Sequence, residues 1–304
     1  MSHTLDRAVV AGGTGLIGQR LVAELLRQGV AVTVLTRDPA GAMVPDGAKA
    51  RSYGDLETAL EGADAIFNLA GASIAGRRWN TAYKRELMGS RTATTAKLVE
   101  AMGLCATKPK VLVNASAIGF YGPRDAGPID ESAASGTTFL AGLCRDWEAA
   151  ADGAAALGLR VVKLRTGVAL AREGGALPKM AFPVRIFQGA KLGGGDQGLS
   201  WIHIDDLVAM YVKAATDKDW SGPINATAPG PVSNAAFTKL LGRKLHRPIL
   251  PVPGFITATA VRLLAGELSG ELLTGAFVLP KKAEALGFAF RFKTADAALA
   301  DLIG

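Results

Sequence analysis

A glycine-rich turn near the N-terminus is the part of the sequence best suited to chemistry. It reads Gly12-Gly13-Thr14-Gly15-Leu16-Ile17-Gly18 and opens a helical pattern. Glycines at 12, 15 and 18 would permit a tight turn, a close backbone approach to a pyrophosphate and close helix–strand packing. The helix N-terminus adds free N–H groups and a positive dipole end. Loop glycines without a ligand are the alternative. We predict a dinucleotide site with contacts from Gly12, Thr14, Gly15, Leu16, Ile17 and Gly18.

The end of the second predicted strand bears on which dinucleotide is bound. Proteins that prefer NAD usually carry an acid there for the ribose 2′-hydroxyl, but this chain has Thr36 followed by Arg37. An arginine suits a 2′-phosphate because its guanidinium donates two parallel hydrogen bonds. Asp38 follows directly, and a surface pair between Arg37 and Asp38 is the alternative. We predict NADP(H) as the cofactor, with Thr36 and Arg37 at its ribose phosphate.

Further cofactor candidates stand where predicted strands end. Ligands of open α/β folds collect at the carboxyl ends of parallel strands. The residues at such ends are Asp55, Leu56, Leu69, Ala70, Gly71 and Thr166. Ordinary loop chemistry is the alternative for residues 55–56 and 68–71.

Short apolar runs that alternate with helical stretches indicate the elements that position these residues. Buried strands are predicted at residues 8–12, 31–36, 65–70, 111–117 and 160–166. A helix over residues 15–28 places Ile17, Leu21 and Leu25 on one face, with Gly29 as its C-terminal cap. Continuous apolar strands separated by helices predict an α/β fold with a Rossmann-type doubly wound parallel sheet.

The pattern changes after about residue 170, where glycine and proline become more frequent and the alternation becomes irregular. We predict an NADP(H)-binding Rossmann domain over residues 1–170, which strands from later segments would join, and a smaller C-terminal α/β substrate lobe over residues 171–304. Helices are expected from near Asp205, over residues 256–264 and over residues 294–302.

Composition and charge exclude several functional classes. The chain has only two cysteines and three scattered histidines, so neither a disulfide framework nor a metal site is expected. The net charge of +7 favours an anionic ligand, but the positive residues form no run and no groove-reading motif, so nucleic acid is not an expected partner. No apolar stretch suits a signal or a membrane span, so we expect a cytoplasmic protein.

The chain resembles an extended short-chain dehydrogenase/reductase, the superfamily of sugar-nucleotide epimerases and dehydratases, over nearly its whole length. More narrowly, it is similar to an atypical epimerase-like family with a small C-terminal domain of unknown function, here about residues 247–304. The motifs that carry this likeness are Gly71-Ala-Ser-Ile-Ala-Gly-Arg-Arg-Trp79, Ser90-Arg91, Ser116-Ala-Ile-Gly-Phe-Tyr-Gly122, Phe139-Leu-Ala-Gly-Leu-Cys-Arg-Asp-Trp-Glu148 and Ser200-Trp-Ile-His-Ile-Asp-Asp206. The resemblance implies NADPH binding, and a homodimer formed through the fourth and fifth helices.

The chain departs from the superfamily at the catalytic dyad. The usual Tyr-x-x-x-Lys, in which the tyrosine exchanges a proton with substrate and the lysine lowers the tyrosine pKa and holds the ribose, is replaced by Leu140 and Cys144. Ser116 matches the superfamily's active-site serine, although a serine that satisfies the backbone is the alternative. We predict Ser116 as a catalytic residue, with Tyr121, or else Lys84, as the replacement proton donor. Cys144 is expected to be a buried, inert thiol.

Four residues are candidates for substrate contact. Lys84 and Arg91 would hold an anionic substrate or the cofactor phosphates, and a solvated helix face is the alternative. Trp201 and His203 would turn to one face before an aspartate that begins a helix, and a structural strand-to-helix corner is the alternative.

The sequence is compatible with two functions. The first is an NADP(H)-dependent oxidoreductase or epimerase that acts on a small carbonyl or hydroxyl compound in the cleft between sheet and C-terminal lobe. The second is a non-catalytic NADPH-binding redox sensor or regulatory protein, which the missing dyad favours.

Overall fold

A seven-stranded parallel sheet lies at the centre of the computed structural model, which describes residues 4–124 and 127–303. Its strands run in the spatial order β11-β7-β5-β4-β1-β2-β3. In chain order the strands are β1 (Arg7–Ala11), β2 (Ala31–Thr36), β3 (Lys49–Ser52), β4 (Ala65–Asn68), β5 (Val111–Ala117), β6 (Pro128–Ile129), β7 (Arg160–Thr166), β8 (Val168–Leu170), β9 (Gly198–Leu199), β10 (Trp201–His203), β11 (Gly222–Ala226), β12 (Val232–Ser233) and β13 (Phe277–Val278). The six strands outside the sheet pair as β8 with β10, β9 with β12, and β6 with β13.

Helices cover both faces of the sheet. They are α1 (Leu16–Arg27), α2 (Leu56–Leu60), α3 (Thr81–Leu104), α4 (Phe139–Asp152), α5 (Ala176–Arg185), α6 (Ile204–Thr216), α7 (Asn234–Lys244), α8 (Gly254–Ala265), α9 (Ser269–Leu273), α10 (Lys281–Ala285) and α11 (Ala295–Ile303). One core contains side chains of α1 and α6, and the core on the other face contains side chains of α2, α3 and α4. Burial on both faces explains why β1 and β4 are continuous apolar runs.

A third core belongs to the C-terminal lobe, where α5, α7 and α11 pack around Trp201 and Phe237. Asp206 connects residues 291 and 292, near the end of the chain, to this region by hydrogen bonds. Its carboxylate is 3% exposed and accepts hydrogen bonds from the backbone N–H groups of Arg291 and Phe292, each at 2.9 Å. The lobe therefore packs against the start of α6, which also covers the main sheet.

The predicted α/β class and doubly wound parallel sheet are confirmed, and the five predicted strands are present, three with the predicted bounds and two with ends that differ by one or two residues. The first helix is Leu16–Arg27, and Gly29 follows it with a φ of +82°.

Two sheet strands were not among the apolar runs. Lys49–Ser52 lies at an edge and has no fully buried residue, so it carries no apolar pattern. Gly222–Ala226 comes from the later half of the chain and joins β7.

The described residues contain neither a candidate membrane span nor a candidate metal cluster. Within residues 4–124 and 127–303, no helix is long and apolar enough to cross a membrane. The same ranges contain no cluster of histidine, cysteine and acidic residues arranged to hold a metal ion.

Candidate functional site

The glycine-rich turn joins β1 to α1 at the carboxyl edge of the sheet. Gly12 has a φ of +81°, and a Cβ there would lie 2.7 Å from the carbonyl carbon of Leu69. Gly18 packs directly on the turn, where a Cβ would lie 2.7 Å from the Cα of Gly13. These two glycines are thus required by the fold itself, through a backbone conformation and a close helix–turn contact.

Gly15 is different, because the fold does not require it. Its φ is −79°, and a Cβ there would meet only the carbonyl oxygen of Gly12, at 3.4 Å. No side chain caps the N-terminus of α1, and no acidic residue stands in its first turn. The free space at Gly15 and the open N–H groups of α1 fit a dinucleotide pyrophosphate.

The topology places a crevice beside this turn. From β1 the chain continues to β2 and β3 on one side, then returns to β4 and β5 on the other side. Such a switch point in an open parallel sheet is where dinucleotides lie, one half on each side. The ends of β2 and β3 therefore lie on one side of this crevice, and the ends of β4 and β5 lie on the other.

Arg37 lies at the end of β2 with an exposed side chain. The ion pairs among the described residues do not include one between Arg37 and Asp38. Asp38 instead accepts a hydrogen bond from the N–H of Gly41 at 3.1 Å and donates its own N–H to Thr36 Oγ1 at 3.3 Å. The arginine is therefore available to an anion at this end of the crevice.

The other cofactor candidates follow strands β3 and β4 or end strand β7. Asp55 is exposed and Leu56 half-buried at the start of α2, after β3. Leu69, Ala70 and exposed Gly71 follow β4, and Leu69 donates its N–H to the carbonyl of Ala11 at 2.8 Å. Thr166 ends β7, two strands beyond β4, and its hydroxyl lies 3.3 Å from the carbonyl of Leu164.

A buried polar network starts at Ser116, near the end of β5. Ser116 donates a hydrogen bond to Glu148 Oε1 at 2.7 Å. Arg165 donates hydrogen bonds to both carboxylate oxygens of Glu148, at 2.8 and 2.9 Å. Arg165 also donates to the Tyr121 hydroxyl at 3.0 Å, and that hydroxyl donates to Asn225 Oδ1 at 2.7 Å. The network therefore links Ser116 and Tyr121 through an ion pair.

The structure brings Tyr121 into contact with this network but not to the cleft surface. Its side chain is fully buried, and its hydroxyl has two protein partners. Burial raises the pKa of Tyr121, although Arg165 acts in the opposite direction. A phenol held in this way keeps its proton and has no open path to a substrate oxygen.

The two positions of the missing dyad hold no acid or base. Leu140 is half-buried, and a Cβ at Gly119 would lie 3.2 Å from its Cβ. Cys144 is 1% exposed, and burial raises the pKa of its thiol to about 11. The Cys144 side chain is therefore a neutral thiol at physiological pH, as expected for an inert cysteine.

The candidate substrate residues separate into two groups. Lys84, on α3, forms an ion pair with Glu267 and stands over the rings of Trp79 and Phe139. Arg91 lies about two turns further along the same face of α3. It is 8% exposed and donates to two backbone carbonyls. Both lie on the β4 side of the crevice, although Lys84 already has a carboxylate partner.

Trp201 and His203 lie in the core of the C-terminal lobe. Trp201 is fully buried and donates its indole N–H to the carbonyl of Gly230 at 3.0 Å. His203 is 1% exposed, stacks on Phe292 with 3.8 Å between ring centroids and has Asp301 near Nε2. These contacts do not bring the pair to Lys84 and Arg91, and they favour the structural corner.

The expected helix start after His203 needs a small correction. The helix begins at Ile204, and His203 itself is the cap, since its Nδ1 accepts a hydrogen bond from the N–H of Asp205 at 3.1 Å. An imidazole acts here in place of the aspartate that the pattern suggested.

Arg165 and Asn225 are the site residues that the sequence pattern did not indicate. Arg165 lies on a central strand and is 4% exposed. A charged residue inside an apolar strand requires a buried partner, and this requirement was the available signal. Asn225 gave no such signal, because it is 104 residues from Tyr121 in the chain.

Comparisons with known proteins agree with this geometry. A model of the NAD dependent epimerase/dehydratase family matches residues 8–226, and a model of a domain of unknown function (DUF1731) matches residues 256–302. A chloroplastic epimerase family protein of Arabidopsis thaliana, a homolog of SDR39U1, is 40% identical over 299 residues, which cover 95% of this chain and 84% of that protein. The epimerase family protein ML0860 of Mycobacterium leprae is 37% identical over 308 residues, which cover 98% of this chain and 97% of that protein.

A solved structure is similar over nearly the whole chain. The human epimerase family protein SDR39U1 (isoform 2), in a crystal structure with NADPH, gives a TM-score of 0.88 at 32% identity. The match covers 98% of this chain and 99% of that chain.

Proposed function

The chain belongs to the NAD dependent epimerase/dehydratase family, and from that premise we propose that it binds NADP(H) across the crevice between β1 and β4. The pyrophosphate would lie at the N-terminus of α1, against the space left at Gly15. Arg37 would pair with the ribose 2′-phosphate. The adenosine half would then lie at β2 and β3, and the nicotinamide half at β4 and β5.

The observation that carries the choice of NADP(H) is the free, exposed guanidinium of Arg37 at the end of β2. Its sequence neighbour Asp38 is occupied by the turn that it caps, with Gly41 as partner. A related human protein was crystallised with NADPH, which supports the same choice here.

We propose further that the protein is an oxidoreductase or epimerase for a small carbonyl or hydroxyl compound, bound between the sheet and the C-terminal lobe. The cofactor would supply or accept the hydride. Ser116 directs its proton toward Glu148, so its oxygen is left with lone pairs that accept a hydrogen bond. Ser116 would therefore orient a substrate hydroxyl, and Glu148 would receive the serine proton as the hydroxyl proton moves to Ser116 Oγ.

The second candidate is a non-catalytic NADPH-binding regulatory protein. Two observations favour this candidate. The Tyr121 hydroxyl already has two protein partners, and the dyad positions hold Leu140 and Cys144. Such a protein would bind the cofactor without consuming it and would change its partner binding or compactness instead.

We make three further proposals, which concern assembly, location and domain organisation. We propose a homodimer formed through the superfamily's fourth and fifth helices, which are α3 and α4 in this chain, a cytoplasmic location, and a boundary near residue 170 between the cofactor domain and the substrate lobe. Light scattering coupled to size-exclusion chromatography would test the dimer, since it measures mass independently of shape.

The test of the cofactor assignment is the change Arg37→Ala. Loss of two charge-assisted hydrogen bonds should weaken NADPH binding by roughly 10- to 100-fold and leave NADH binding unchanged. Fluorescence titration with both nucleotides measures the two affinities. The matched control is Arg27→Ala, at the opposite end of α1, where the exposed arginine pairs only with Glu24. Equal weakening for NADPH and NADH in Arg37→Ala would contradict the role of Arg37.

A separate experiment distinguishes the enzyme from the regulator. The protein loaded with NADPH is mixed with a broad panel of carbonyl compounds, and the absorbance of the dihydronicotinamide is followed. An enzyme oxidises the bound cofactor with at least one compound class. A regulator leaves it reduced but changes its compactness in small-angle scattering when NADPH binds.

A further inference from the structure

Arg91 is a buried positive charge without a carboxylate partner. It lies on α3 and is 8% exposed. Its Nη1 and Nη2 donate to the carbonyls of Leu87 and Ala72 at 3.1 and 2.9 Å, whereas its Nε is buried without a hydrogen-bond partner. No ion pair among the described residues includes it. A guanidinium remains protonated at physiological pH even when buried, so the charge persists.

This charge lies directly behind the wall of the crevice. Its Cζ would be 2.9 Å from a Cβ at Gly71, the exposed residue that follows β4. On its other side the guanidinium stands over the Trp147 ring, with Cζ 5.1 Å from the centroid. Because Nε is sealed from solvent, this atom makes no direct contact with a ligand. Arg91 therefore acts on the crevice through its electric field.

Two other cations near this side of the crevice are neutralised. Lys84 is paired with Glu267, and Arg165 is paired with Glu148. The Cys144 thiol carries no charge at physiological pH, because burial holds its pKa at about 11. Arg91 thus contributes a buried charge without a carboxylate partner beside the end of β4, and a buried charge acts more strongly than an exposed one because the surrounding dielectric is low.

We propose that Arg91 makes the cofactor site select the reduced nicotinamide, so that NADPH binds more tightly than NADP⁺. This inference rests on the proposed function, which places the nicotinamide half at β4 and β5. The oxidised ring carries a positive charge that Arg91 repels, and the reduced ring is uncharged. The phosphates are the same in both forms, so Arg37 does not contribute to the difference.

The consequence is that the protein remains loaded with NADPH until the NADP⁺ pool is in large excess. For two unit charges on the order of 10 Å apart in an effective dielectric of about 20, Coulomb's law gives roughly a tenfold change in the ratio of affinities. The same field would favour a substrate oxygen that becomes anionic near the end of β4.

The experiment is a pair of calorimetric titrations of the full chain, with NADPH and with NADP⁺. Wild-type protein should bind NADPH about tenfold more tightly. Arg91→Gln, which removes the charge but keeps a hydrogen-bond donor, should bring the two affinities close together, and Arg91→Lys should keep the preference. The matched control is Arg37→Ala, which should weaken both forms equally and leave their ratio unchanged.

The outcomes separate this inference from the cofactor assignment. Equal wild-type affinities for NADPH and NADP⁺ overturn the selection by Arg91 and leave NADP(H) binding intact. A preference that persists in folded Arg91→Gln also overturns it. If Arg91→Gln does not fold, the wild-type ratio and Arg91→Lys decide, because loss of the preference in folded Arg91→Lys contradicts a field effect. Absence of any nucleotide binding overturns both proposals.

Discussion

The hydroxyl groups of Ser116 and Tyr121 belong to one network but differ in what they can do. Ser116 donates to Glu148, and its hydroxyl oxygen is also a hydrogen-bond acceptor, whereas the Tyr121 hydroxyl both donates to Asn225 and accepts from Arg165. The serine is thus suited to accept a substrate hydroxyl, and the tyrosine is suited to hold Arg165 in place. This division assigns Tyr121 a positioning role rather than the donor role that its sequence position suggested.

Paired substitutions at these two residues test that division. Ser116→Ala should reduce any hydride transfer at least tenfold and leave NADPH affinity unchanged, because the role proposed for the serine is toward the substrate and not toward the cofactor. Tyr121→Phe should instead lower the free energy of unfolding by about 1–3 kcal/mol, since Asn225 and Arg165 each lose a buried partner. Turnover and chemical denaturation are measured for both variants. Loss of turnover in Tyr121→Phe at unchanged stability would restore the tyrosine as proton donor.

The residues that sequence could identify are those whose neighbours in the chain explain them. The glycines at 12, 15 and 18 lie in one turn, and Arg37 directly follows an apolar strand. The partners of Ser116 and Tyr121 come from α4, β7 and β11, which the fold brings together from distant segments. Their pairing depends on strand order, and periodicity along the chain does not contain that information.

The unit formed by β1, its turn and α1 combines a structural and a binding requirement. Gly18 is needed for helix α1 to pack on the turn, and Gly15 leaves space that no protein atom fills. A single pattern of glycines therefore has two physical causes. Substitution by alanine separates them, because the added methyl group is the same at both positions.

We expect opposite results from Gly15→Ala and Gly18→Ala. Gly15→Ala should retain its melting temperature within about 2 °C, because its backbone φ of −79° is ordinary and its Cβ has room. It should nevertheless lose most of its NADPH affinity, because the methyl group occupies the pyrophosphate space. Gly18→Ala should lose about 2 kcal/mol or more of stability through overpacking. Differential scanning calorimetry and nucleotide titration give both values, and unchanged NADPH affinity in Gly15→Ala would contradict the pyrophosphate site.

At this scale the sequence predicted buried elements better than edge elements. The strands β1, β2, β4, β5 and β7 contain apolar runs because helices cover both faces. The edge strand Lys49–Ser52 reads as a polar segment, since none of its residues is fully buried. A pattern of apolar residues in the sequence indicates buried side chains. An edge strand whose side chains are little buried therefore shows no clear pattern.

The whole molecule is held together by contacts between its last segment and its centre. Asp206, at the start of α6, accepts two backbone hydrogen bonds from residues 291 and 292, while Ser200 bonds to both Ala276 and Val278. Phe292 and Leu299 lie in the same core as Trp201. The region matched by the DUF1731 model therefore contributes to the same core as Trp201 and is not an appendage.

Asp206→Asn tests this coupling. The amide offers one acceptor where two N–H groups converge, so we expect a loss of about 2 kcal/mol in the free energy of unfolding. Hydrogen exchange should accelerate first in residues 288–303. The control is Asp205→Asn, whose carboxylate is 42% exposed and makes only ion pairs at 3.3 Å or longer, so its effect should stay below about 1 kcal/mol. Equal destabilisation by the two variants would contradict the anchoring role of Asp206.

The most direct test of the central claim is a titration of the purified full chain with NADPH, followed by fluorescence, beside the same titration with NADH. We expect saturable binding of NADPH at one site per chain and binding of NADH at least tenfold weaker. Equal affinity for the two nucleotides would contradict the assignment of the 2′-phosphate to Arg37, and absence of saturable binding would contradict the dinucleotide site at the glycine-rich turn.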